Sequence, residues 1–182
     1  MGMTELLASL EASGLAGKIR DSLYLFPLIE SSHVIGLTMV FGTIAIIDLR
    51  LLGIASTRRP FTRIASDILK WTWAAFVLTV ATGLLMFITN AGVYYHNFHF
   101  RSKMALLALS GINMLIFEFT AARSVHRWDK DAAAPLAGRT VAAVSLVLWI
   151  SIIFLGRWIG FTTTRTDLKT EPDINIEELF PK

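Results

Sequence analysis

The feature that most constrains this chain is residues 71–90, a run of twenty residues without a single charged side chain. The hydrocarbon core of a bilayer is about 30 Å thick, and roughly 20 apolar residues of helix are needed to cross it. Three further segments have the same apolar character: 23–47, 104–122 and 141–161. Buried helices of a water-soluble protein would carry a polar stripe at helical spacing, and residues 71–90 carry none. The sequence therefore predicts four transmembrane helices.

Composition agrees with this prediction and excludes several kinds of protein. Charged residues make up 17% of the 182 residues, compared with about 25% in an average soluble domain. The chain has no cysteine, which excludes disulfides, thiolate metal sites, a catalytic cysteine and c-type haem attachment. Its formal net charge is only +3, and the basic residues lie beside apolar runs rather than along one face, so nucleic-acid binding is not expected.

The expected fold is all-α, an up-down bundle of four transmembrane helices, because short loops favour antiparallel neighbours. Residues 1–22 are expected to form an interfacial segment, residues 23–161 the transmembrane domain, and residues 162–182 a polar tail. The first segment has apolar residues at the spacing of a short amphipathic helix that lies on the membrane surface, namely Met3, Leu6, Leu7 and Leu10. The alternatives are a frayed N-terminus, and a tail that is either disordered or docked onto a partner.

The loops predict an orientation in a bacterial inner membrane. Loops 49–70 and 123–140 together hold nine Lys and Arg residues, whereas loop 91–103 holds two. Cytoplasmic loops carry an excess of these residues, so the first and third loops are expected inside and both termini in the periplasm. Six further Lys and Arg residues in the terminal segments lie on the predicted outer side and reduce the difference.

His33 is the strongest candidate for a functional residue. An ionisable group inside a bilayer costs several kcal/mol unless it is paired or solvated, and His33 lies about 13 Å along the first span from Tyr24. Glu30, three residues earlier, is expected on the same helix face. Gly36, three residues later, would leave room for a flat group to approach the backbone.

The antiparallel prediction brings further polar residues to the outer end of the bundle, near His33. They are His99, Arg101 and Lys103 in and after the second loop, and Arg157 in the fourth span. Imidazoles on separate helices hold haem iron in membrane cytochromes, and basic side chains bind the propionates. We therefore expect haem b, with His33 and His99 as ligands of the metal and Arg101 and Arg157 as propionate partners.

Other interpretations of these residues are open. Copper is the alternative cofactor, held by His33 and His99, with His96 and Glu30 as possible further ligands. Without a cofactor, His33 would bond to a backbone carbonyl or a neighbouring Ser or Thr. His99 would then serve as an anchor in an aromatic interfacial loop, and the arginines would reach toward lipid headgroups.

A second polar cluster is expected at the cytoplasmic end of the bundle. Asp48 and Arg50 end the first span, while Glu118, Arg123 and His126 end the third. Opposite charges at one level predict ion pairs that join these two helices. A proton-relay role for Glu118 is the alternative.

Two stretches carry a resemblance to a known family: PLIESSHVIG (27–36), running on to DLRLLG (48–53), and FRSKMALL (100–107), running on to Asn113. They resemble small bacterial inner-membrane proteins described only as having a domain of unknown function. The resemblance covers roughly residues 23–160 and implies a four-helix bundle, but no reaction. More loosely, the chain is similar to CopD-like copper proteins and four-helix b-type cytochromes.

The expected function is that of a redox-linked inner-membrane protein, which binds its cofactor near the outer face and passes electrons between the quinone pool and a periplasmic partner. One alternative is a cofactor-free accessory subunit of a larger membrane complex, which exposed small-residue helix faces would favour. Another is a small proton-coupled transporter whose Glu30 and His33 titrate with substrate. A water-filled path from Glu30 to Glu118 would favour transport.

Overall fold

The computed structural model describes residues 2–170, with side chains described through Thr162. This part of the chain is helical, without strands. The elements are α1 Met3–Glu11, α2 Gly14–Asp21, α3 Leu25–Leu51, α4 Phe61–Thr89, α5 Ala91–His96, α6 Phe98–Phe119, a 3₁₀ turn Ala122–Ser124, α7 Val125–Trp128 and α8 Leu136–Thr170.

Four of these helical segments are long and apolar enough to cross a membrane: Leu25–Leu51, Phe61–Thr89, Phe98–Trp128 and Leu136–Thr162. Their outward surfaces are apolar, as a lipid environment requires, with side chains such as Leu84 and Val147 more than half exposed. The predicted all-α bundle with four membrane helices is therefore confirmed, and the chain is a multi-pass membrane protein. α4 and α8 are longer than their apolar segments, since α4 begins ten residues before position 71 and α8 runs from Leu136 to Thr170.

Neighbouring helices run antiparallel, and they form two closely packed pairs. α3 lies along α4 and α6 lies along α8, while α3 also contacts α8 and so joins the pairs. α4 and α6 meet through aromatic side chains at their two ends: Phe87 stacks on Phe100 at a centroid distance of 5.5 Å, and Phe61 meets Phe117 edge-on at 5.9 Å. We name the two ends of the bundle after the short helices there, the α5 end and the α7 end.

The N-terminal segment folds into two short helices rather than one, and both pack on the α5 end. Ser13 separates them and caps α2 by accepting a hydrogen bond from the backbone of Ala16. Two long-range bonds hold the segment in place. Arg20 donates to the carbonyl of Thr89, and the carboxylate of Glu11 accepts from the backbone N–H of Gly92.

Two helices lie at the predicted boundaries of the transmembrane domain, residues 23 and 161. α3 begins at Leu25, close to the expected start of the transmembrane domain, whereas α8 continues past residue 161 to Thr170. Of the predicted polar tail, residues 171–182 lie outside the described residues.

A fully buried arginine organises the α7 end. Arg50 has no exposed surface, and its guanidinium donates to four backbone carbonyls, those of Arg59, Asp129, Asp131 and Ala132. The planar guanidinium presents five N–H donors in fixed directions, so it can hold two loops at once. The end of α3 is thereby fixed to both of the loops on this side of the bundle.

Replacing Arg50 by Met should remove the guanidinium donor from four backbone carbonyls, of which only that of Asp129 keeps another donor among residues 2–162, the N–H of Phe61. The free energy of unfolding should fall by about 3 kcal/mol. Arg50→Lys keeps the charge but loses the fixed fork of donors, so it should recover only part of the loss. Thermal unfolding of purified protein in mild detergent measures both effects. The control is Arg58→Lys at an exposed position of the same loop; equal unfolding temperatures for the Arg50 and Arg58 variants would contradict this role.

The closest approach of α3 and α4 occurs at Gly36. A Cβ atom added there would lie 2.6 Å from Oγ1 of Thr79 and 3.4 Å from the carbonyl oxygen of Ala75. The space beside Gly36 is thus filled by α4, and it doesn't receive a flat group as the sequence suggested. Small residues that let two backbones approach are the usual packing device in membranes.

Gly36→Ala should therefore force α3 and α4 apart and cost about 1–3 kcal/mol. Gly42→Ala on the same helix is the matched control, because a Cβ there meets nothing within 4 Å, and it should leave stability unchanged or slightly raised. Adding Thr79→Ala to the Gly36→Ala protein should restore part of the loss. Unfolding in detergent measures all three variants, and a Gly36→Ala protein as stable as the Gly42→Ala protein would refute the close contact.

Candidate functional site

His33 lies between α3 and α4 in the half of the bundle nearer the α5 end. Its ring is half-buried, and Nδ1 lies 3.0 Å from the carbonyl oxygen of Thr79 and 3.1 Å from Oγ1 of Thr82. Both partners belong to α4. The side chain that the sequence identified as the leading candidate is therefore held by the neighbouring helix.

These partners determine which ring nitrogen carries the hydrogen. A carbonyl oxygen can only accept, so the bond to Thr79 requires a hydrogen on Nδ1. The hydroxyl of Thr82 donates to the carbonyl of Leu78 at 2.7 Å, which leaves its oxygen free to accept from the same Nδ1–H. Among the described residues Nε2 has no hydrogen-bond partner, so in the neutral ring its lone pair remains available.

Two further glycines lie beside polar side chains, Gly83 beside His33 and Gly156 beside Lys103. A Cβ at position 83 on α4 would lie 3.1 Å from Cε1 of His33, so the imidazole occupies the space that Gly83 leaves. On the other side of the bundle, a Cβ at Gly156 of α8 would lie 3.6 Å from Nζ of Lys103. The charge of Lys103 acts on the His33 imidazole. A base and an interior cation therefore face a common region of the bundle.

The second histidine proposed as a ligand occupies a different environment. His99 begins α6 and is half-buried, with its ring 6.2 Å from that of Trp158 and 5.7 Å from that of Phe98. None of the ring contacts in the described part of the chain joins it to His33. His99 does lie four residues before Lys103, one turn away on the same face of α6.

The two arginines proposed as propionate partners lie on the surface of the α5 end. Arg101 is exposed on α6. Arg157 is exposed on α8, and its guanidinium lies 5.3 Å from the ring centroid of Phe161. Lys103, two residues after Arg101, is the basic side chain that turns inward. Of the three basic side chains, Lys103 is the one whose charge influences His33.

Glu30 and His33 do not face the same region. Glu30 is exposed and lines a shallow cleft on the outer surface of α3 with Pro27 and Val34, whereas His33 faces α4. His96 is also exposed and bonds through Nδ1 to the carbonyl of Gly92. Within residues 2–162 no group of three or more His, Asp or Glu side chains could hold a metal ion, so the four-residue copper site considered from the sequence is not formed.

The ion pairs expected at the α7 end are absent. Arg50 bonds to carbonyls, Glu118 and His126 are exposed, and Arg123 lies 5.0 Å from the ring centroid of Phe119. That prediction was wrong because residues at one level of a bundle need not point toward one another.

A second buried polar group lies instead between α3, α6 and α8. Asp48 of α3 is 5% exposed, and Asn113 of α6 and Ser145 of α8 are each 8% exposed. The Asn113 amide donates to the carbonyl of Val141, one turn from Ser145 on α8, and Ser145 lies near the Asp48 carboxyl. Oδ2 of Asp48 has no partner.

Sequence analysis placed Lys103 near His33, but it did not identify Thr79 and Thr82 as the partners of His33. It also missed the grouping of Asn113 and Ser145 with Asp48. The threonines form no motif, and their role follows from the register of α3 against α4. Lys103 and Arg101 are both basic and lie on different faces of α6. The 3.6-residue period places them on different faces, but only the position of the neighbouring helix shows which face is the inner one.

Comparison with known proteins identifies a family and adds no activity. No curated protein and no solved structure matches the chain, so the looser similarity to CopD-like proteins and b-type cytochromes finds no support there. A family model matches residues 7–162, which includes all four membrane helices and most of the N-terminal segment. The recognition of an uncharacterised family is thereby confirmed: the chain belongs to the DUF6644 family of unknown function.

Proposed function

We propose that this protein binds haem b through His33 and passes electrons between the quinone pool and a periplasmic partner of a bacterial inner membrane. The observation that carries the proposal is that the carbonyl of Thr79 holds Nδ1 of His33, while Nε2 has no hydrogen-bond partner among the described residues. Histidines that bind metals usually donate their other ring N–H to a carbonyl or carboxylate, which fixes the tautomer and orients the ring. In His33 the Nδ1–H already donates to a carbonyl, so the ring is oriented before a metal binds.

The surroundings of His33 fit the charge of a haem group. Haem propionates need cations nearby, and Lys103 supplies one inside the bundle, while Arg101 and Arg157 supply two at the surface of the same end. The α4 side of His33 is filled at Gly36 and Gly83. The group would therefore be held on the side of α6 and α8, with His99 as the proposed second ligand.

Haem fits the donors better than copper does. One or two imidazoles suffice for haem iron, whereas the described residues offer no group of three metal-binding side chains. When bound, haem iron supplies one-electron transfer. The chain's own residues would hold the imidazole through Thr79 and Thr82, balance charge through Lys103, and keep water out through the aromatic stack of Phe87 and Phe100.

A cofactor-free accessory subunit is the second candidate, and one observation favours it. The Cβ positions of Gly42 on α3 and Gly111 on α6 meet nothing within 4 Å, so both offer small-residue surfaces on which a partner helix could pack closely. The transporter alternative has less support, because Glu30 and Glu118 are both exposed on the outside of the bundle rather than joined through its interior.

If His33 ligates haem iron, protein purified in mild detergent from haem-replete cells should be coloured and should show a visible spectrum that sharpens on reduction with dithionite. His33→Ala should abolish the colour while the protein remains inserted. Lys103→Ala should weaken haem retention more than Arg101→Ala or Arg157→Ala, because Lys103 is the inward-facing cation. His99→Ala should either abolish the colour or leave a five-coordinate spectrum.

The controls are His96→Ala and His126→Ala, since both side chains are exposed and their loss should leave the spectrum unchanged. Optical spectroscopy and metal analysis of the same preparations provide the measurement. A colourless and metal-free wild-type protein would refute the redox function in both its haem and copper forms, and would leave the accessory subunit as the leading proposal.

The proposed orientation, with both termini in the periplasm, follows from the basic loops and can be tested because the chain has no cysteine. Ser9→Cys in α1 and Ala132→Cys in the loop before α8 are both exposed positions. In intact cells an impermeant thiol reagent should label Cys at position 9 and not at position 132. After lysis both should react, and the reverse pattern in intact cells would invert the topology.

A further inference from the structure

We propose that Asp48, Ser145 and Asn113 form a binding site for one monovalent cation, a proton or sodium, between α3, α6 and α8. The site is independent of the proposed haem function. It lies about 22 Å along α3 from His33, since fifteen residues separate the two positions. We call these three residues the Asp48 centre.

The first argument is the state of the carboxyl group. Asp48 is 5% exposed, and its Oδ2 is buried with no hydrogen-bond partner. A buried carboxylate that lacks both a counter-ion and hydrogen bonds is strongly disfavoured, so such a group is occupied by a cation or is neutralised by a proton. A proton and a metal cation would both bind at Oδ2 of Asp48.

The second argument is that the protein supplies no counter-charge. Arg50 is fully buried two residues away, but its guanidinium donates to four backbone carbonyls. Among the other described charged side chains on α3, α6 and α8, Glu118 and Arg139 are exposed, and the interior Lys103 lies beside Gly156, toward the α5 end. Within the described part of the chain, the positive charge opposite Asp48 has to come from outside.

The third argument concerns the ligand atoms. Ser145 places a hydroxyl near the carboxyl group, and Asn113 bonds through its Nδ2 to the carbonyl of Val141, so its amide oxygen is not used in that bond. These are neutral oxygen donors beside one negative charge. Divalent ions such as calcium usually take several carboxylates, so a single carboxylate matches a monovalent cation.

Thermal unfolding of the full chain in detergent tests the proposal, with sodium chloride titrated against choline chloride at fixed pH. If sodium is the occupant, the wild-type protein should unfold about 2–4 °C higher at saturating sodium. Asp48→Asn should abolish that rise, because the amide keeps the shape but removes the charge. Glu30→Gln is the matched control, an exposed carboxylate on the same helix, and should keep the full rise.

Infrared difference spectroscopy separates the proton from sodium. A proton occupant predicts no specific sodium effect, together with a carboxylic acid C=O band that titrates with pH in the wild-type and Glu30→Gln proteins and is missing from Asp48→Asn. If Asp48→Asn fails to fold, Ser145→Ala should weaken sodium binding several-fold or shift the band frequency. If the wild-type protein shows no sodium effect and also lacks such a band, the proposal is overturned.

Discussion

The close approach of α3 to α4 is the constraint on which the rest of this structure depends. In a bilayer the hydrophobic effect does not drive helices together, so packing and hydrogen bonds must do so. Gly36 allows Thr79 to come close, and Gly83 gives space to the ring of His33. The same contact delivers the carbonyl of Thr79 to Nδ1. The packing of α3 on α4 and the orientation of the imidazole therefore depend on the same contact, and a change in one would change the other.

Much of the fold could be predicted because the bilayer imposes a length on every apolar segment. A run such as 71–90 has one stable arrangement in lipid, a helix with all of its backbone bonds internal. The N-terminal helices are different. Their position depends on Arg20 reaching Thr89 and Glu11 reaching Gly92, contacts between residues far apart in the chain that no local pattern announces.

The candidate site could be predicted only in part, because the sequence does not determine how each helix is rotated about its own axis. His33 could be identified from its depth alone, because any ionisable group there is costly. Which side of a helix it faces depends on the partner helix, and so Glu30 was wrongly grouped with it and the two arginines were preferred to Lys103 as partners. Asp48 and Arg50 show the same limit: they are close in sequence, yet one turns toward α8 and the other toward the loops.

The two polar centres lie at different levels, and what separates them constrains how they can act. Between them the core consists of Val40, Ala75, Trp149 and Ile152, all buried and apolar. A proton or sodium ion needs polar groups or water along its path, and the side chains of this cluster supply no carboxylate, hydroxyl or amide for it. An electron at His33 and a cation at Asp48 would therefore influence each other through helix positions rather than by direct transfer. α3 is the element that could carry that influence, because both groups are attached to it.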